Sequence, residues 1–270
     1  MDRVILAAID LDACRENEII CTPESVNELF ETGTVFSVGG LDVTRFMILC
    51  FVAAFIVIGL LWFGYRKRSL IPSRFGAAVE ALVGFVRDEI AIGIIGPDGA
   101  RYFPYLLSIF LFILVGNLFE VTPFINFPIT SRMAIPLFLA VVTWVIFVIA
   151  GFLKNGITYV GHIVWPPGVP VALKPLVGLI ELVSIFLVRP FSLAVRLFAN
   201  MVAGHTMLTL LLVSSYAFLT AADLKIIVGL AWGGLGLAIF LFEIVVAVLQ
   251  AYIFTLLTAV YIQTSVHPEH

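Results

Sequence analysis

Charge is scarce in this chain. Only 12% of its 270 residues are charged, against about a quarter in soluble domains. A water-facing globule is therefore excluded, and 61% hydrophobic residues fit a polytopic membrane protein instead. Cysteine is nearly absent too. Cys14, Cys21 and Cys50 form no zinc-ligand spacing. Three glycines in "GLAWGGLGL" (Gly229, Gly233, Gly236) resemble a nucleotide loop only superficially. No strand precedes them and the segment is apolar, so close helix packing is the expectation. The net charge is −3, and no nucleic-acid partner is expected.

What is present is long apolar runs. A hydrocarbon core about 30 Å thick needs about 20 apolar residues per helical span, and only helices or closed barrels satisfy the backbone there. The expected fold is an all-α polytopic membrane protein. Residues 1–43 form an acidic external segment, with nine acids against two bases in 1–42. The first membrane helix covers 44–65. After it, Arg66, Lys67, Arg68 and Arg74 stand without an acid in "YRKRSLIPSR", which puts that loop in the cytoplasm and the N-terminus outside. The apolar run begins too late and runs too long for a cleavable signal. A Cys14–Cys21 bridge and two free thiols are both open in an external segment.

Residues 73–96 carry Arg74, Glu80, Arg87, Asp88 and Glu89 among apolar positions, the pattern of an amphipathic helix on the cytoplasmic surface. A turn at Gly96-Pro97-Asp98-Gly99 closes it. A membrane hairpin follows over 103–153, with Asn117 and Glu120 at the outer end of its first arm. Interfacial solvation is the expectation there, an external vestibule the alternative. Residues 154–174 form a cytoplasmic loop that contains His162. Residues 175–262 hold two segments of about 40 residues, roughly 60 Å each as helices, or about twice the hydrocarbon thickness. Each is either one steeply inclined helix or two spans, with Arg189-Pro190 as a conceivable break. Residues 263–270 are a solvated cytoplasmic tail with His267 and His270.

At 100° per residue, Arg189, Ser192, Arg196, Asn200, Ala203 and Met207 share one stripe, and His205 points away from it. A buried arginine costs at least about 2.5–3.5 kcal/mol and stays charged. It is either a snorkelling or paired structural cation, or a fixed charge on an ion path. Glu243 and Gln250, seven apart, share a face of the second long helix. A fold at Asp223 brings Arg196 near Gln250 and His205 near Glu243. A carboxyl beside an imidazole in a low-dielectric site suits proton transfer near neutral pH. A structural hydrogen bond is the alternative. Glu181 lines an aqueous access path or caps local structure.

Taken together, "RPFSLAVRLFANMVAGH" (189–205), "EIVVAVLQAYIFTLLTAVY" (243–261) and "PPGVPVALKPLVGLIELVS" (166–184) resemble subunit a of the membrane sector of F-type ATP synthases. The resemblance covers the middle and C-terminal two-thirds; residues 1–42 do not carry it. It implies an N-out anchor, an amphipathic surface helix, a membrane hairpin and two long inclined helices packing on the c-ring. It implies two offset proton half-channels, with Arg196 as the essential arginine that forces proton release and blocks leakage. Asn200 and Gln250 match polar partners of that arginine, and His205 and Glu243 match the externally connected pair. Their order resembles the mitochondrial one, exchanged relative to many bacterial relatives. Ser192, Glu181, Asn117 and Glu120 are candidate half-channel lining. The implied partners are the c-subunit ring, peripheral-stalk b subunits, other ATP synthase subunits and membrane lipid. No cofactor, metal or catalytic site of its own is expected. The implied location is a bacterial plasma membrane, with the C-terminus cytoplasmic. A secondary ion-coupled transporter with a midplane Arg/His/Glu site is the alternative, though it calls for internal repeats and discontinuous helices. A haem enzyme would need histidines paired on facing helices, and an intramembrane serine protease a nucleophile beside His205.

Overall fold

The computed structural model describes residues 20–21, 34–38, 41–65, 73–122, 125, 127–165, 170, 173–220 and 225–267. Cys14, Asp223, His270 and most of the acidic segment lie outside the described residues. Strands β1 (Thr34–Val38) and β2 (Leu41–Thr44) pair antiparallel. This hairpin departs from the all-α expectation. Its strands flank Gly39-Gly40, a pair favoured in tight hairpin loops. Helix α1 (Arg45–Tyr65) follows directly.

Helix α2 (Arg74–Gly84) starts at Ser73, whose hydroxyl accepts the Gly76 N–H at 3.2 Å, as N-cap serines do. It runs on as a π-helical turn, Phe85–Ile92, and a last turn, Gly93–Ile95. Val79, Val83, Val86 and Ile90 are buried while Arg74, Glu80, Arg87, Asp88 and Glu89 are exposed, so the element is amphipathic. Helices α3 (Gly99–Leu118) and α4 (Ala134–Asn155) form the next pair. A short helix, α5 (Thr158–Val164), occupies part of the stretch expected to be loop, and it includes His162. Helix α6 (Lys174–Val183) passes through a π-helical turn, Ser184–Val188, into α7 (Arg189–Leu219). Helix α8 spans Ile226–Val266, so the apolar periodicity continues past residue 262.

Five helices are long and apolar enough to cross a membrane: Arg45–Tyr65, Gly99–Leu118, Ala134–Asn155, Lys174–Leu219 and Ile226–Val266. The chain is a multi-pass membrane protein. There is no break at Arg189-Pro190. A proline inside a helix removes one backbone donor and crowds the carbonyl four residues back. The wider π turn ending at Val188 gives that carbonyl room, so the helix continues.

The chain divides into two compact units. One comprises 1–52, 116–132 and 199–249. In it α7 and α8 pack through glycines. A β-carbon on Gly229 would lie 2.8 Å from the Leu219 backbone nitrogen, one on Gly233 2.8 Å from Ser215 Oγ, and one on Gly236 3.1 Å from Leu212 Cδ2. All three pairs are centred on position 224, one residue beyond the expected fold point. The Ser215 hydroxyl donates to the Gly229 carbonyl at 2.9 Å, which ties the same two helices. Cys21 is disulfide-bonded and fully buried against Val213, Ala217 and Phe218, and Cys50 is free. The Cys21 N–H donates to Ser214 Oγ at 2.8 Å.

The second unit comprises 53–115, 133–198 and 250–270. Its core joins Leu106, Ile113, Phe147, Leu197, Phe254 and Ile262. The end of α8 is held by side chains. Asn155 Nδ2 donates to the Ser265 carbonyl at 3.0 Å and lies 3.4 Å from that of Val266, satisfying carbonyls that a helix end leaves open. Lys154 Nζ donates to Asp98 Oδ2 at 2.8 Å, and His267 Nε2 lies 3.6 Å from the same oxygen. The Lys154 hydrogen bond, reinforced by its charge, holds the Asp98 carboxyl below the usual aspartate range.

Candidate functional site

The first unit contains a buried polar group in an apolar setting. Asn117 is fully buried and Glu120 is 2% exposed, which corrects the expectation of interfacial solvation. Glu120 follows the last residue of α3 by two positions. Its Oε1 lies 3.7 Å from Nδ1 of His205 on α7, with both side chains 1% exposed. Thr130, in the 3-10 turn Ile129–Ser131, donates to Asn117 Oδ1 at 2.7 Å, so the amide is oriented with Nδ2 free to donate elsewhere. Glu243 of α8 is also buried, and its carboxylate lies over the α-carbon of Gly204.

Among the described residues, Asn117 Nδ2, Glu120 Oε1 and Glu243 Oε2 are buried without a hydrogen bond. Buried polar atoms nearly always have partners, and polar, roomy positions lacking protein partners are where water is held. A contact of 3.7 Å is longer than a direct hydrogen bond. Two carboxyls and one imidazole in such a setting can pass a proton.

The second unit carries the arginines. Arg196 lies midway along the 46-residue helix Lys174–Leu219, about 33 Å from either end at 1.5 Å per residue. It is exposed, and among the described residues it makes no hydrogen bond, ion pair or ring contact. Gln250 is 4% exposed, and among the described residues its Nε2 makes no hydrogen bond. Arg189, by contrast, is engaged. Nη2 meets Glu181 Oε1 at 3.4 Å, Nη1 meets Thr264 Oγ1 at 3.4 Å, and the guanidinium lies 5.4 Å over the Tyr261 ring. Ser192 and Asn200 are half-buried.

A family model described as ATP synthase A chain matches residues 47–263. The chain belongs to that family. It is 42% identical over 250 residues to the ATP synthase subunit a of Frankia alni, covering 90% of this chain and 86% of the relative. It is 33% identical over 265 residues to that of Cereibacter sphaeroides, covering 98% and 96%. With the subunit a of Gluconacetobacter diazotrophicus it shares 38% over 228 residues, covering 81% and 86%. Each comparison therefore spans most of both chains.

For this member of the family, two features escaped the sequence. Glu120 lies just past the end of α3 and His205 on α7, and no periodicity relates the two. Thr130 lies in a proline-rich loop and carries no helical signal. Gly204, as the seat of the Glu243 carboxylate, follows from the packing of α8 on α7.

Proposed function

We propose that this chain is the stator subunit of the rotary ATP synthase membrane sector, and that Arg196 is the fixed charge coupling proton flow to rotation of a c-subunit ring. One observation carries the reading: an exposed arginine at the midpoint of a membrane-crossing helix, without a partner among the described residues. Leaving that charge against lipid costs at least about 2.5–3.5 kcal/mol. A carboxylate on a neighbouring subunit offsets the cost and is drawn to the guanidinium in its ionised form. A carboxylic acid carried past Arg196 then releases its proton, and the same charge repels a proton moving directly from one half-channel to the other.

Glu120, His205 and Glu243, with Asn117, supply the externally connected half-channel. The buried polar atoms Asn117 Nδ2, Glu120 Oε1 and Glu243 Oε2, without a hydrogen bond among the described residues, support a hydrated relay. Glu181 and Ser192 line the exit on the cytoplasmic side, and Asn200 and Gln250 present polar groups near Arg196. The N-terminus faces outward and the C-terminus the cytoplasm of a bacterial cell, consistent with the acidic segment and the Arg66–Lys67–Arg68 loop. Peripheral-stalk b subunits hold the chain against the ring's torque. The chemistry of ATP formation belongs to other subunits of the complex.

ATP-driven acidification of inverted membrane vesicles tests the reading. Arg196→Gln, in complexes shown to be assembled, is expected to abolish pumping. Pumping at the parent rate makes Arg196 a structural cation and rejects the proposal.

A further inference from the structure

Glu181 and Arg189 are eight residues apart. On an unbroken α-helix that separation leaves two side chains about 80° apart, and Glu181 falls off the stripe that Arg189 shares with Arg196. The π-helical turn Ser184–Val188 lies between them. A π turn takes up an extra residue, so positions beyond it slip back by about one, and the pair behaves as a seven-residue pair. Seven residues is also the step from Arg189 to Arg196, about 20° of drift. The π turn therefore lines up Glu181, Arg189 and Arg196.

The contacts agree with that alignment. Arg189 reaches back to Glu181 and across to Thr264 and Tyr261 of α8, and Thr264 is fixed in turn by its bond to the Tyr261 carbonyl at 3.1 Å. The Arg189 side chain is 20% exposed and that of Glu181 43%. The guanidinium is thus the anchored partner, and the carboxylate keeps an oxygen open to water.

We infer that Arg189 is a positioning residue for proton exit, holding Glu181 on the Arg196 stripe by way of the π turn. This rests on the proposed reading of Glu181 as lining of the exit half-channel. The arginine touches neither the ring nor the proton; it sets where the acid stands.

The test is passive proton conductance of vesicles stripped of the catalytic sector, measured across a range of pH on the Glu181 side. The variants are Glu181→Gln, Arg189→Gln, the double variant and Arg189→Lys, each normalised to assembled complex. Each glutamine variant is expected to lower conductance on the order of tenfold and to flatten the pH profile alike. The double variant falls no lower than Glu181→Gln alone, because coupled side chains are not additive. Arg189→Lys, which keeps the charge, restores part of the loss. Losses that multiply, or a silent Arg189→Gln beside an impaired Glu181→Gln, overturn the positioning role and leave Glu181 on the path. A silent Glu181→Gln overturns the exit reading itself, and this inference with it.

Discussion

Gly204 and Glu243 compete for one space. A β-carbon on residue 204 would lie 2.6 Å from the Glu243 carboxyl carbon, closer than such atoms approach. The glycine thus allows the acid of α8 to lie against α7 at position 204. Gly204→Ala is expected to displace the carboxylate while leaving the fold intact, since overpacking costs about 1–3 kcal/mol. Proton pumping should fall at least about tenfold, as displaced reacting groups do, with ATP hydrolysis by the complex retained. Parent-level pumping in Gly204→Ala would show that the carboxylate's position is immaterial.

Glu120 adds a second carboxyl to the imidazole of His205. If it relays protons, Glu120→Gln should slow passive conductance through stripped vesicles about 10- to 100-fold, the range for losing a proton-transfer group at the lower end of general acid–base effects. Glu120→Asp should retain part of the flux. Equal rates for parent and glutamine variant would make Glu120 a structural group.

The α7–α8 hairpin depends on bare backbone at Gly229, where a side chain meets the Leu219 nitrogen and the Phe218 carbonyl carbon. Backbone gives way less readily than a flexible side chain. Gly229→Ala should lower the thermal stability of the purified complex, whereas Gly234→Ala, with nothing within 4 Å of its β-carbon, should leave it within about 0.5 kcal/mol of the parent. The reverse order would contradict the packing described.

The Asp98–Lys154 bond yields a pH prediction. Because Asp98 has its carboxyl pKa lowered by Lys154, the stabilisation is present above the ordinary aspartate value of about 3.9. It is lost as pH falls through the lower folded value. Asp98→Asn should therefore be less stable than the parent near neutral pH, by a small margin typical of exposed pairs. The two melting curves should converge in acid. A gap that persists at the lowest pH would assign the difference to something other than this charge.

Much of the architecture could be read from residues. Apolar runs of spanning length marked the five helices, and "TAADLK" (220–225) located the hairpin bend to within a residue of the centre found through Gly229, Gly233 and Gly236. The β1–β2 pair was not anticipated, because "TVFSV" and "LDVT" fall in and beside the acidic segment read as external. Other features rest on tertiary packing that periodicity does not encode. Asn117 and Glu120 stand at a span end, where water is the default, yet both are buried, and Glu120 lies 3.7 Å from His205. Glu181 lay off the arginine stripe because 100° per residue assumes an unbroken α-helix, and the π turn Ser184–Val188 changes that phase.

The central claim is that Arg196 is a gate. The most direct measurement is the decay of an imposed proton gradient across vesicles containing assembled complex, with Arg196→Ala compared with the parent. Loss of the charge should open a leak, so the gradient in Arg196→Ala collapses faster and ATP-driven pumping is absent. A gradient held as long as in the parent, with the complex intact, would contradict the gate.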